Sequence, residues 1–399
     1  MGHLKHKPIF DAAVIGAGPA GSATARWLAL HGWSVALLER SRFESPRIGA
    51  SLAPGVQELL GELGLGSEFL ALGSRPSPGT CGLWGDAATA SNSSLQGPCG
   101  GAWHVDRRAF DQMLARGAEA AGVTLFEGVA LQRSVRRDHA WHLQTTPGAC
   151  PAPAAAPHLR ARVLVDATGR RAQVARSLGA QRLQWDRLVG VALQWAGTEP
   201  SEHGRVMVEA TPEGWWVSAP LPGGARGEAT RMVTMLMTDA DLCAQMRLTA
   251  AGPWQDCLGS APLTRRRLHS ARPISTPQVH CAHSQRLRRD EAVNAAPWLA
   301  VGDAALAVDP VLGSGVRRAL RGARAAADAV SDMLMQPSTW RTALAAFEAG
   351  CDTECTAYLL ERAHRYAVER GFDTPFWERR QVLRKYLDTV DAARMSILA

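Results

Sequence analysis

The stretch DAAVIGAGPAGSATARWLALHGWSVALLER, residues 11–40, decides the fold. An apolar run, Ala12 to Ile15, leads into Gly16, Gly18 and Gly21, spaced G-x-G-x-x-G. A helical pattern follows, then a second apolar run from Val35 to Leu38 that ends in Glu39. Gly16 suits a tight turn, Gly18 lets backbone approach a pyrophosphate, and Gly21 lets the helix pack on the strand. A helix N-terminus offers free N–H groups and the positive end of a dipole to phosphate. Glu39 stands 18 residues after Gly21, placed to accept from adenosine ribose hydroxyls. Glycines alone would say little. Strand, glycines, helix, strand and acid in this order predict a dinucleotide site with a free ribose 2′-OH.

Both FAD and NAD meet that description. An NAD dehydrogenase would continue with regular βα units. Here SRFESPRIGASLAPGVQELLGELGL, residues 41–65, breaks into an irregular loop and then an amphipathic helix. The same lobe resumes later. Residues 100–134 read as a short strand, a helix led by Asp106 as N-cap, and a strand from Val123. Arg107 in that helix's first turn opposes the dipole, and a bound pyrophosphate would explain it as well as simple exposure would. ARVLVDATGRR, residues 161–171, is a buried-strand run closing on a small-residue turn, where backbone can pass close to a ligand. WLAVGDAALAVDP, residues 298–310, repeats the design, with Asp303 able to bond a polyol. The following GSGVRRALRGARAAADAV starts a helix whose N–H groups at Gly313, Ser314 and Gly315 can stabilise negative charge.

Between Arg187 and His283 the pattern turns to antiparallel strands with Gly/Pro turns. From Trp340 onward the chain reads as helical. The Ala/Pro-rich TTPGACPAPAAAPHLRA, residues 145–161, reads as an expanded hairpin turn. The expected fold is α/β: a Rossmann-like nucleotide lobe, an inserted antiparallel β-sheet substrate lobe and a helical C-terminal tail. The expected boundaries are 1–186 and 285–339 for the nucleotide lobe, 187–284 for the insert and 340–399 for the tail.

Composition narrows the class. With 46% hydrophobic and 20% charged residues, the 399-residue chain is globular. No run approaches the ~18 apolar residues of a membrane span, and the start lacks a signal-peptide pattern. The expectation is a soluble, cytoplasmic protein. The eight cysteines are scattered without a CxxC, as suits reduced thiols, and no metal site is expected. Net charge is +7, nearly all of it arginine: lysines occur only at Lys5, Lys7 and Lys385. No basic run is interleaved with aromatics, so no nucleic-acid partner is expected.

GAGPAGSATARWL…LLER, PRIGASL, WHVDRRAFDQML, DATGRR and VGDAALAVDPVLGSGV together resemble the single-Rossmann FAD-dependent monooxygenase superfamily, the p-hydroxybenzoate-hydroxylase-like fold. The resemblance spans residues 11 to about 330. It implies FAD, with Gly16, Gly18, Pro19, Ala20, Gly21, Glu39 and Arg40 on the ADP half. Arg47, Ser51 and Arg107 would lie along the cofactor, with Arg107 at the pyrophosphate. Asp303 would bind the ribityl chain, and Pro310, Gly313, Ser314 and Gly315 the isoalloxazine edge. PRIGASLAP, GGAWHVDRRAFD, EGWWVSAPLPGG and YLLERAHRYAVERGFDTPFWERR look like a halogenase-like subgroup. That subgroup includes flavoproteins that hydroxylate tryptophan within a partner protein during quinone-cofactor formation.

Three chemistries share this frame. The expected one is hydroxylation of an electron-rich aromatic ring through a flavin C4a-hydroperoxide, with O2 as co-substrate. It demands placement and exclusion of water more than a nucleophile, and no catalytic residue beyond the flavin stands out. The second is oxidase or reductase chemistry on a small molecule. The third is halogenation, for which the resembled halogenases need a lysine after the first βαβ unit. This chain has none from residue 8 to 384, and arginine does not replace an ammonium. Electrons would come from NAD(P)H or a separate flavin reductase, since no second GxGxxG exists. The aromatic substrate is a small molecule or a protein-borne tryptophan. Candidate substrate contacts are Trp215, Trp216 and His104. The adjacent tryptophans should face opposite sides of a strand, and each candidate has a packing role as its alternative.

Overall fold

The computed structural model describes residues 9–45, 47–85, 87–88, 92–93, 101–148, 157–197, 204–221, 231–290 and 296–381. Lys5, Lys7, Lys385, Cys99, Cys150, the middle of the low-complexity insert and the end of the tail lie outside them.

The opening motif builds the centre of a seven-stranded sheet. Strand Ile9–Ile15 pairs in parallel with Val35–Glu39 on one side and Leu159–Asp166 on the other. Thr124–Glu127 and Trp298–Ala300 extend the parallel set outward on either side. Val35–Glu39 is buried at every position, as befits a strand covered on both faces. Helix Pro19–Leu30 and helix Gly315–Met335 cover one of those faces with a shared core of Ala25, Leu28, Ala326 and Val330. Their alanines let the backbones approach closely, so that Thr24 Oγ1 reaches the Ala323 carbonyl at 3.5 Å. The antiparallel pair Val129–Arg137 and Ala140–Pro147 leads on to Leu159–Asp166, so the low-complexity insert does connect two antiparallel neighbours.

The chain leaves the first strand to opposite sides, which makes the carboxyl end of Ile9–Ile15 a topological switch point. Open parallel sheets bind ligands in the crevice at such a point.

A nine-stranded sheet forms the second layer. Leu188–Ala196, Arg231–Asp239, Gly214–Leu221 and Val206–Thr211 are antiparallel neighbours, as the 187–284 pattern implies. The sheet also takes up Gly79–Trp84, which pairs in parallel with Val206–Thr211. The large sheet is therefore drawn from two parts of the chain and is not purely antiparallel. Register between distant strands leaves no local pattern, so no residue near Gly79–Trp84 signals this pairing. One face, with Trp195, Trp216 and Leu236, packs under the short helices of residues 240–267. The other, with Leu188, Trp215 and Met237, packs against Tyr366, Phe376 and Trp377 of the tail.

The tail begins as helix Trp340–Ala367, which runs beside Gly315–Met335 and then crosses onto that second face, where Pro375–Glu378 follows. No helix among the described residues is long and apolar enough to cross a membrane.

Candidate functional site

Four strand ends meet at the switch point. Gly16 N–H bonds Leu38 O at 2.7 Å, Ala167 N–H bonds Ile15 O at 2.9 Å, and Val301 N–H bonds Asp166 O at 2.9 Å. These bonds bring the GxGxxG turn, Glu39, the DATG turn and the Gly302-Asp303 turn to one edge.

The glycines fall into two kinds. Gly16, at φ +105°, backs onto the Ala167 carbonyl, which a Cβ there would strike. A Cβ on Gly21 would collide with the Gly16 carbonyl, so that position fixes helix against strand. Gly302, at φ +62°, abuts the Ala20 side chain and seats the Asp303 turn against the first helix. At Gly18, Gly313 and Gly315, by contrast, an added Cβ would meet nothing within 4 Å. Gly169 of the DATG turn is open in the same way, so four glycines at these turns leave their backbone uncovered. Helix Pro19–Leu30 starts at Gly18 and helix Gly315–Met335 at Ser314, each without a side-chain cap on its free N–H groups. Both helix ends are therefore free to meet negative charge.

Glu39 is buried at the end of its strand, where Oε2 accepts from Ala17 N–H at 3.0 Å and Oε1 from the Ser41 hydroxyl at 2.6 Å. Arg40 next to it is exposed. Arg47 spans Glu39 at 3.5 Å and Asp111 at 2.7 Å. Arg107 does not stand free above its helix end. It pairs with Asp111, four residues on, at 3.1 Å, and Nη1 donates to Ile48 O at 3.3 Å. Asp111 is the residue that sequence reading missed. It is 1% exposed and joins the two arginines, and the RxxxD spacing in RRAFD was its available signal. The two carboxylates orient the two arginines along the crevice and offset their charge.

On the far wall, Asp303 is partly exposed and ion-paired with Arg170 of the DATGRR motif at 3.3 Å. Arg170 also donates to the carbonyls of His283 and Val308, both at 2.6 Å, so one side chain ties the two turns together. Asp166 is fully buried, and burial pushes its carboxyl upward. Its oxygens accept from Thr168 N–H, Thr168 Oγ1 and Ala175 N–H, which shapes the DATG turn from within. A cleft of about 560 Å³ opens between helices Gly315–Met335 and Trp340–Ala367, with Gly302, Asp303 and Gly315 at one end. A second opening, about 670 Å³, is lined by Trp195, Arg265, Arg266 and His269 on the helix-covered face of the large sheet and touches none of these residues.

The three substrate-side candidates are packed. Trp215 and Trp216 do face opposite sides, and both are buried. Trp215 donates Nε1–H to Tyr366 Oη at 3.1 Å and meets Trp84 edge-on. Trp216 lies under the short helices against Trp254, 4.9 Å between centroids. Neither ring borders open space. His104 is also buried, with Nδ1 on Ser51 Oγ at 3.2 Å and Nε2 on the Gly204 carbonyl at 2.7 Å. Burial holds its pKa below the usual histidine value, with Arg267 and Arg75 pushing the same way against the Gly204 carbonyl. Ser51 is thereby committed to a histidine. Pro310 opens the one-turn helix Pro310–Leu312, immediately before Gly313.

The family model described as FAD binding domain matches residues 10–336. The chain belongs to that family. It is an FAD-binding flavoprotein of the monooxygenase superfamily, in the halogenase-like branch. LodB of Marinomonas mediterranea, which is named as an FAD-dependent oxidoreductase, is 30% identical over 327 residues, covering 79% of this chain and 82% of LodB. The structure of QhpG, a peptidyl tryptophan dihydroxylase essential for tryptophylquinone cofactor biogenesis, superposes with a TM-score of 0.69 at 26% identity, over 94% of this chain and 79% of QhpG. The myxobacterial chondrochloren halogenase CndH has the same fold at 23% identity, with a TM-score of 0.84 over 98% of this flavoprotein and 90% of CndH.

The residues present fit FAD. Open glycine backbone, two uncapped helix ends and the buried Glu39 carboxylate stand at the strand ends where such a group would lie.

Proposed function

We propose that this flavoprotein is a monooxygenase that hydroxylates an electron-rich aromatic ring, a tryptophan side chain of a partner protein. The observation that carries hydroxylation over halogenation is the lysine distribution. Lysines stand only at 5, 7 and 385, so the described body from residue 9 to 381 contains none. The resembled halogenases depend on a lysine ammonium, a compact point donor that a planar guanidinium does not reproduce. The likeness to QhpG, which acts on a peptidyl tryptophan, supports a protein-borne ring.

In this reading Gly16, Gly18, Pro19, Ala20, Gly21, Glu39 and Arg40 hold the ADP half. Arg47 and Arg107 face the phosphates, with Asp111 fixing their directions. Asp303, held by Arg170, takes the ribityl hydroxyls. Pro310, Gly313, Ser314 and Gly315 line the isoalloxazine edge. FAD, once reduced, supplies the means to activate O2 and deliver one oxygen atom to a ring. The chain's own share is electrostatic and steric. The Gly315 helix end presents N–H groups to negative charge on the ring system, in a setting where oriented dipoles need no rearrangement. Electrons come from NAD(P)H or from a partner reductase.

Halogenation is the competing reading, favoured by the halogenases among the relatives. The substrate claim is tested by offering FAD-loaded enzyme and a reductant two classes of acceptor. One is a set of tryptophan-containing precursor proteins and the other free aromatic metabolites, each read by mass spectrometry. Oxygen gained on a tryptophan of a protein is the expected result. Oxygen gained only on free metabolites would remove the protein-borne substrate.

A further inference from the structure

We propose that the tail helix Trp340–Ala367 is a positioning element for the flavin. Tyr358, Arg362 and Tyr366 grip Asp309, and Asp309 sets the turn that carries Gly313, Ser314 and Gly315. The inference rests on the assignment of that turn to the isoalloxazine edge.

Asp309 is 0% exposed, and its N–H and both carboxylate oxygens are bonded. Oδ1 accepts from Val311 N–H at 2.9 Å, which makes Asp309 the cap of Pro310–Leu312. Oδ2 accepts from the Tyr366 hydroxyl at 2.8 Å and from Arg362 Nε–H at 3.3 Å. Asp309 N–H donates to Tyr358 Oη at 2.8 Å. The three tail residues are spaced four apart, so they form one stripe along one face of the helix.

The grip extends beyond Asp309. Arg362 Nη2 also donates to Asp186 at 2.9 Å, just before strand Leu188–Ala196 of the large sheet. Tyr358 Oη lies 2.5 Å from Ser284 Oγ, where the chain returns from that sheet. Apolar contacts repeat the pattern. Val308 and Leu312 pack with Tyr358, and Val311 packs in the cluster of Tyr366, Phe376 and Trp377.

A tail that served only as a cover could be held by apolar contacts alone, and isosteric apolar packing is often as stable as a buried ionic group. Here two of the chain's three tyrosines and a half-buried arginine converge on one buried carboxylate. Buried groups satisfied in this way fix direction, and a fixed direction is what a turn beneath a planar ring requires.

Tyr366→Phe keeps the ring and removes the hydroxyl from Asp309. Trp254→Phe, on the opposite face of the large sheet, serves as a matched destabilised control. FAD Kd, the visible flavin spectrum and the flavin midpoint potential are measured for both and for the parent. Tyr366→Phe should raise FAD Kd about 5- to 20-fold, less than the full effect of a hydrogen bond to a charged group because it reaches the flavin only through the turn, and should shift the spectrum and potential. Trp254→Phe should lower the melting temperature and leave all three flavin readouts as in the parent. If Tyr366→Phe fails to fold, Tyr358→Phe, which removes the acceptor for Asp309 N–H, is read the same way. A variant that melts earlier but binds FAD with parental Kd, spectrum and potential overturns the inference and leaves the flavin site standing. A parent protein that takes up no FAD overturns both.

Discussion

The crevice at the strand ends and the tail-covered face of the large sheet are built on opposite principles. The crevice is made of small residues, open glycines and uncapped helix ends, with partly exposed arginines held by Glu39, Asp111 and Asp303. The covered face is aromatic and closed: Trp84, Trp215, Tyr366 and Trp377 meet at centroid distances of 5.3 to 6.1 Å, and its charges are buried in pairs. The first region leaves room for a ligand and the second leaves none. The difference teaches where function and stability sit in this molecule, and each can be broken separately.

The largest expected effect falls on the covered face. Asp239, 2% exposed, is held by Arg380 Nη2 at 2.5 Å and Arg379 Nη1 at 2.9 Å, and Arg380 stacks over Phe376. Asp239→Ala strands a buried guanidinium and should cost about 3–5 kcal/mol in chemical denaturation, with FAD Kd changed little. Burial raises the Asp239 pKa, but Arg380 and Arg379 outweigh it and the net shift is downward from 3.8. Its stabilising effect is therefore complete above pH 3.8 and lost as pH falls through the lowered value. The variant should lose that acid limb.

In the crevice, Gly21→Ala forces a methyl onto the Gly16 carbonyl. We expect loss of FAD binding together with about 2–3 kcal/mol of stability, as for overpacked sites, read by flavin titration and denaturation. Glu39→Gln changes one atom. It should weaken FAD about 5- to 30-fold while shifting stability by less than the Asp239 variant does.

Two smaller effects sharpen the contrast between the faces of one strand. Trp215 Nε1–H has Tyr366 as partner, whereas Trp216 Nε1–H is buried with none. Trp215→Phe should therefore cost about 1 kcal/mol more than Trp216→Phe. The two being equal would mean that the Tyr366 bond contributes nothing. Last, His104 has a folded pKa below 6.5. The unfolded chain then binds the proton more readily, so stability should decline as pH falls below 6.5, and His104→Asn should flatten that decline.

How much of this was legible follows the same divide. Gly16, Gly18, Gly21 and Glu39 could be read because the crevice is made by local geometry, and turn, helix start and strand end each leave a residue signature within 30 positions. The Gly302-Asp303 turn could be read because its motif repeats that design. The covered face could not be read. Tyr358, Arg362 and Tyr366 show a regular spacing of four in YLLERAHRY, but nothing near them names Asp309, about 50 residues earlier. Gly79–Trp84 gave no hint that it would join a sheet whose other main strands begin after residue 187. Arg107 stands out in the sequence because it faces a helix dipole, while its partner Asp111 carries no mark beyond a spacing of four.

The central claim is that the flavin in this crevice delivers oxygen and not halogen to an aromatic ring. The most direct test is turnover with reduced FAD and isotopically labelled O2 in a buffer rich in chloride and bromide, followed by mass analysis of the acceptor. One or two labelled oxygen atoms on the ring and no halogen isotope pattern are expected. A chlorinated or brominated product free of labelled oxygen would contradict that claim.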